Sequence, residues 1–247
     1  MIMLRNQQEI DRLRRSNQLV AEAREMLRGL VRPGMTTGEL DDRTEEFFRK
    51  KGARSAFKGY RGYPKSICTS INEQVVHGIP GSRKLKEGDV LSLDIGAVLD
   101  GYFGDTAVTV PVGAISKEAA RLLKVTEESL YVAIEAIRPD GHLNDIGAAV
   151  QHHVEAAGYS VVRDFVGHGI GQSLHEEPQI PNFGVAGTGV RLKAGMVLAI
   201  EPMVNEGKAE VKILPDGWTA VTADGRLSAH FEHSVAVTDK APIVLSA

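Results

Sequence analysis

An α+β fold made of two related halves, with an antiparallel sheet covered by helices, is predicted by three observations. Two segments are near-copies: Leu85 to Asp94 reads LKEGDVLSLD and Leu192 to Glu201 reads LKAGMVLAIE. Helical patterns come in pairs and strand patterns follow them in runs, which argues against alternating βαβ units and a parallel sheet. Each copied strand also ends in a carboxylate where another Val or Ile is expected. A buried carboxylate is costly unless it is paired or binds a cation, so the duplication points to an acidic site between the halves.

The elements follow in order. The copied strands are 107 residues apart, and the likeness extends upstream at an offset of 106: Val31-Arg32-Pro33 matches Ile137-Arg138-Pro139, Leu40 matches Ile146 and Gly52 matches Gly158. A helical pattern over about 19–31, and again over about 125–137, runs to an Arg-Pro stop. A second helix follows over about 37–51 and 143–157 and ends at glycine. Thr36 and Glu39 have the capping-box spacing, and Gly52 and Gly158 suit a helix C′ position of positive φ. After Asp94, Asp100-Gly101 is a strong type I′ hairpin signal. If Leu99 pairs with Tyr102, Asp94 lies opposite Ala107 and Asp105 opposite Gly96. The two acids then share a face as diagonal neighbours roughly 7–8 Å apart at the backbone, with Gly96 and Gly104 leaving space beside them. In the second half Glu201 ends its strand, and Glu232 in SAHFEHSVAVTD is placed as Asp105 is in the first. Hairpins packed face to face would bring four carboxylates together, and two divalent cations would relieve their repulsion.

Without a low-complexity linker, residues 1–247 read as one domain with halves of about 1–112 and 113–247. The 43% apolar content supports a sizeable core, and a net charge of −3 with interspersed signs offers no basic field for nucleic acid or anionic membrane. The N-terminal segment lacks a secretory signal, no apolar run reaches membrane-spanning length, and the single Cys68 suits a reducing compartment. A cytoplasmic location is expected.

Histidines complete the pattern. His168 lies in the glycine-flanked VGHGIG, and His175 in LHEEPQIP. His77, in NEQVVHGIP, stands ahead of the first hairpin as the pseudo-symmetric mate of His175. The other histidines read as surface residues: His142, His152 and His153 on or beside a polar helix, and His230 and His233 flanking Glu232. His233 should face away from Glu232 by strand alternation. GHGIG lacks the ending and context of a phosphate loop, and Cys68 in SICTSI reads as a small buried thiol.

With Asp94, Asp105, His168, Glu201 and Glu232 assembled, the chain resembles the pita-bread metallopeptidases. GYRGYPKSICTSINEQVVHGIP, VVRDFVGHGIG, HEEPQIPNFG and LAIEPM narrow the resemblance to type I methionine aminopeptidases of bacterial type, over almost the whole chain. The resemblance implies a pita-bread fold and removal of the initiator methionine from proteins and peptides with a small second residue. It implies that Asp94 and Asp105 bind metals, that Glu232 bridges them, and that His168 and Glu201 complete one ion's shell. Glu201 would act as base and then acid, His175 would stabilise the oxyanion, and His77 would hold the scissile amide. Tyr60, Tyr63, Cys68, Leu174 and Trp218 would surround the methionine side chain. At Phe57 many relatives carry a small residue, and Arg61 replaces a frequent histidine, so both bear on substrate preference. Asn72, the Gln74 carbonyl and Ser228 match a Na⁺ or K⁺ site found in some relatives.

The oxygen-rich shell with one imidazole favours two Mn²⁺, Fe²⁺ or Co²⁺ ions, with Zn²⁺ as the alternative. N-termini of nascent proteins and peptides are the expected partners, the ribosome is a candidate one, and the protein is expected to be a monomer. Two other readings are an Xaa-Pro aminopeptidase or prolidase of the same fold, and a non-catalytic ribosome-associated protein of that fold. The former usually carries an added N-terminal domain and lacks GYPKSICTSIN; the latter loses metal ligands that this chain retains.

Overall fold

A computed structural model describes all 247 residues. The first half runs α1 (Gln7–Leu30), α2 (Thr37–Lys50), β1 (Arg54–Ser55), β2 (Cys68–Ile71), β3 (Gln74–Val76), β4 (Val90–Leu99) and β5 (Tyr102–Pro111). The second runs α3 (Lys117–Ala136), α4 (Leu143–Ala156), β6 (Ser160–Val161), β7 (Gly167–Gly169), β8 (Glu176–Ile180), β9 (Val197–Ile200), β10 (Met203–Asn205), β11 (Val211–Ile213), β12 (Ala220–Thr222), β13 (Ser228–His230), β14 (Glu232–Ala236) and β15 (Ile243–Val244). α1 and α3 begin well before the expected 19 and 125, because Asn6 and Ser116 cap them upstream of the visible apolar periodicity. α2 is capped by the expected Thr36–Glu39 box, and Gly52 and Gly158 follow their helices at φ of 71° and 86°.

The duplication is written in the hydrogen bonds. Leu85 N–H donates to the Met35 carbonyl and Leu192 N–H to that of Gly141, both at 2.8 Å. Matching isolated bridges join Thr36 to Lys84 and His142 to Arg191. No helix is long and apolar enough to cross a membrane.

The two halves do not pack their hairpins face to face. They lie side by side in one nine-stranded sheet of order β1-β4-β5-β14-β9-β7-β8, with β2 on β4 and β15 on β14. The seam is β5–β14, where Glu232 pairs with Ala107 and His233 with Thr106. The physical reason is that β9 and β14 do not form a tight hairpin. Between them, β10–β13 and β11–β12 leave for two small three-stranded sheets, so β14 is free to pair with β5.

Alternation sorts the sheet's two faces. Leu91, Leu93 and Ile95 of β4 lie in the main apolar core with residues of all four helices. Asp94, Asp105 and Glu232 point the other way. Asp100 and Gly101 take φ of 51° and 80°, the positive pair a type I′ turn requires, and the register is the expected one, Asp94 opposite Ala107 and Gly96 opposite Asp105.

The two glycines flanking these acids do not hold open space. A side chain at Gly104 would strike the Ser16 backbone of α1, and one at Gly96 would strike the Phe57 ring. Each glycine is a contact surface.

Candidate active site

A row of side chains crosses the front of the sheet. Cys68 pairs with Asp94, Asp94 with Ala107 and Ala107 with Glu232. Because His233 pairs with Ile200, Glu232 lies beside Glu201. Asp105 stands one step along β5, and His168, paired with Ala199, closes the row from β7. The five expected ligands are thus brought together from four neighbouring strands and the residue after β9. His168 Nε2 lies 3.5 Å from Glu201 Oε1 and 3.9 Å from Asp105 Oδ2. Asp105, His168 and Glu232 each offer a donor atom within 4.8 Å of the others.

The electrostatics are those of an anionic cage. Withdrawal from water raises the pKa of Asp94 to about 7 and that of Glu201 to about 8. Withdrawal from water and the neighbouring carboxylates push Asp105 and Glu232 well above the carboxylate range. The buried Asp105 Oδ1 and Glu232 Oε1 have no hydrogen-bond partner. Burial lowers His168 to about 3, so its imidazole is neutral. Its Nδ1 is 2.9 Å from the Gly169 carbonyl, which fixes the proton there and turns the Nε2 lone pair toward the acids. Orphaned buried oxygens and an aimed imidazole lone pair fit divalent cations.

The residues expected around the substrate ring a cavity of about 580 Å³ above this cage. His175 Nδ1 lies 2.8 Å from Tyr60 Oη, and its ring centroid is 4.3 Å from that of His168. His77 meets Phe165 edge-on at 5.3 Å and Trp218 at 6.5 Å, and burial lowers it to about 4. Its relation to His175 holds in the register: Ser70 and His168 pair with Ser92 and Ala199, equivalent positions of the copied strands. The offset from Ser70 to His168 is that from His77 to His175.

Phe57, Tyr63, Cys68 and Leu174 form one apolar cluster, with Tyr60 and Trp218 packed against it. Tyr63 Oη lies 3.0 Å from the carbonyls of both Ile67 and Gly78. Asn72 and Ser228 meet through a 2.9 Å bond from Ser228 N–H to the Asn72 carbonyl. Gln74 lies two residues further on, where its side-chain oxygen accepts from Ile71 N–H.

Two readings need correction. His230 and His233 are not surface residues, being 2% and 7% exposed. His233 faces away from Glu232 as expected, with Nδ1 2.8 Å from Ser246 Oγ. His230 faces the site, its Nε2 3.5 Å from Glu201 Oε2. Nor does Glu232 occupy the position equivalent to Asp105. Gly96 pairs with Asp105 and the equivalent Met203 pairs with His230, so His230 is the counterpart of Asp105 and Glu232 that of Ala107. Alternation from Glu232 back to His230 was the available signal.

Clustered carboxylates with one oriented imidazole, opening on a pocket with an apolar wall, make this the site of a metal-dependent hydrolase. The chain belongs to metallopeptidase family M24, whose model matches residues 11–239. Among characterised proteins it is similar to the methionine aminopeptidase of Clostridium perfringens, 53% identical over 100% of this chain and 99% of that one. Methionine aminopeptidase 1 of Bacillus subtilis is also 53% identical, over 97% of this chain and 96% of that one. The crystal structure of methionine aminopeptidase from Rickettsia prowazekii superposes with a TM-score of 0.99 at 41% identity, covering all of both chains.

Proposed function

We propose that this protein is a methionine aminopeptidase, cleaving the first peptide bond of proteins and peptides that begin with methionine followed by a small residue. The observation that carries the reading is the adjacency of an anionic cage and an apolar wall that includes Cys68, in a chain alike over its whole length to proteins of that activity. A Met side chain is unbranched and polarisable, and Cys68, Leu174, Tyr63 and Phe57 offer it apolar walls.

Asp94, Asp105, His168, Glu201 and Glu232 would hold two divalent cations. Bound there, Mn²⁺, Fe²⁺, Co²⁺ or Zn²⁺ would supply Lewis-acid polarisation of the carbonyl and acidify the attacking water. Glu201 takes the proton from the attacking water and returns it to the leaving amine. With Tyr60 O–H donating to His175 Nδ1, the His175 proton sits on Nε2 and is available to the developing oxyanion. His77, neutral between Phe165 and Trp218, holds the amide side of the substrate. Asn72, the Gln74 carbonyl and Ser228 would seat a Na⁺ or K⁺ ion. The substrate implies work in the cytoplasm on nascent chains, with the ribosome as a candidate partner; we propose a monomer.

Purified protein given Met-Ala-Ser and an Xaa-Pro peptide with Mn²⁺ or Co²⁺ should release methionine from the first alone, and chelator should stop it. Cleavage of the Xaa-Pro peptide alone would overturn the assignment in favour of a prolidase. No metal-dependent cleavage of either would favour a non-catalytic binding protein.

A further inference from the structure

We infer that His230 is a positioning residue for Glu201, donating from Nε2 to the carboxylate oxygen that faces away from His168. The inference rests on the proposed role of Glu201 as the proton carrier.

Three observations converge on it. His230 is 2% exposed and its Nε2, sealed from water, has no hydrogen-bond partner in the protein. An unpaired buried nitrogen of this kind is unfavourable unless an acceptor closes on it. Glu201 Oε2 stands 3.5 Å away, while Glu201 Oε1 stands 3.5 Å from His168 Nε2. The carboxylate is therefore bracketed by two imidazoles, one at each oxygen. In sites without substrate such catalytic hydrogen bonds are long and tighten in the complex.

The mount of His230 is rigid. At Phe231 the strand leaves the main sheet, and the Thr109 hydroxyl takes over the pairing there. It accepts from His230 N–H at 2.8 Å and donates to the His230 carbonyl at 2.9 Å. Ser92 Oγ lies 2.8 Å from the same hydroxyl, and since that hydroxyl's one proton is spent, Ser92 is the donor. The chain Ser92–Thr109–His230 thus fixes the backbone that carries the ring.

The third observation is the duplication. His230 stands at the place that Asp105 holds in the other half, a position that aims its side chain into the cage. The two copies have taken different chemistry there. Asp105 has a partnerless oxygen beside His168 and Glu232. His230 instead addresses one oxygen of one carboxylate, and holding the plane of Glu201 leaves that group oriented to take a proton and pass it on. A misplacement of about 1 Å in such a group costs on the order of 100-fold in rate.

The test compares His230→Ala, His230→Gln and Glu201→Gln in the Mn²⁺-loaded enzyme. Isothermal titration with Mn²⁺ and thermal melting accompany the kinetics on Met-Ala-Ser. His230→Ala should lower kcat about 10- to 100-fold with KM and metal stoichiometry unchanged. His230→Gln, which restores a side-chain N–H, should recover most of that loss. Unchanged kcat in His230→Ala, with Glu201→Gln inactive, would overturn the positioning role alone. Loss of a metal equivalent in His230→Ala, not rescued by Gln, would overturn it by making His230 a ligand. An active Glu201→Gln would remove the reading of Glu201 on which the inference rests.

Discussion

Asp94 and Asp105 sit on adjacent strands with their carboxylates turned to the same cavity. The proposed function gives both the role of metal ligands. Asp94→Asn and Asp105→Asn should each cut turnover at least about 1,000-fold while the circular dichroism spectrum is retained; near-normal turnover in either would remove that residue from the metal shell. Phe57 acts through shape. Its ring lies where a side chain at Gly96 would be, so Phe57→Cys should open the wall of the pocket and change KM for methionyl peptides. Identical kinetics across several N-terminal residues would show that the ring does not touch substrate. Arg61 holds its guanidinium 5.5 Å over the Tyr60 ring, and with burial as the larger cause it depresses the pKa of His175. Asp94 and Glu201 could be found in the sequence because a carboxylate at an apolar strand position is costly. His230 was missed because the 22 residues carrying β11 and β12, 206–227, shift the offset between the halves on that side. The insertion hides its equivalence to Asp105.

At the scale of elements, the turn that presents His175 is held from outside the sheet. Arg5, its side chain 4% exposed, meets Glu176 Oε2 at 2.5 Å, and Glu176 Oε1 accepts from Gln172 N–H and Ser173 N–H at 2.9 and 3.1 Å. Arg5 N–H also donates to the Gly195 carbonyl at 2.7 Å. The N-terminal arm thereby clamps the His175 turn onto the start of β9. Arg5→Ala should cost about 1–3 kcal/mol, since Glu176 keeps its two backbone donors, and should lower kcat more than it changes KM. Urea unfolding and steady-state kinetics would check both; an unchanged urea midpoint would rule out the clamp. Helix ends and the β4–β5 hairpin were legible because capping boxes, C′ glycines and the Asp-Gly turn are local signals. The true starts of α1 and α3 were not, because they are fixed by the Asn6 and Ser116 caps, ahead of the first buried apolar residues, Ile10 and Ala119. The joining of the hairpins edge to edge depends on where β10–β13 depart, which no local pattern records.

For the molecule as a whole, the cage sets how stability depends on pH. Carboxylates with raised folded pKa values bind protons that the unfolded chain has already released, so the metal-free protein loses stability as pH rises. The window runs from the ordinary carboxylate values near 4 up to about 7 for Asp94 and about 8 for Glu201. The metal-free melting temperature should therefore fall between about pH 5.5 and about pH 8, and Mn²⁺ should remove most of that fall, because cations displace the same protons. A metal-free melting temperature that rises over this range would contradict the linkage.

The β5–β14 seam has a consequence for ancestry and for engineering. Each half carries only part of the proposed ligand set, Asp94 and Asp105 on one side and His168, Glu201 and Glu232 on the other. A chain cut between Pro111 and Lys117 would yield two fragments that regain the five-residue cluster only by rejoining along those strands. A half-length ancestor would have met a second copy of itself along the same edge, with identical residues facing each other across a twofold axis. Fusion released that constraint, and the two edges became free to differ: Asp94 against Glu201, Ala107 against Glu232, Asp105 against His230.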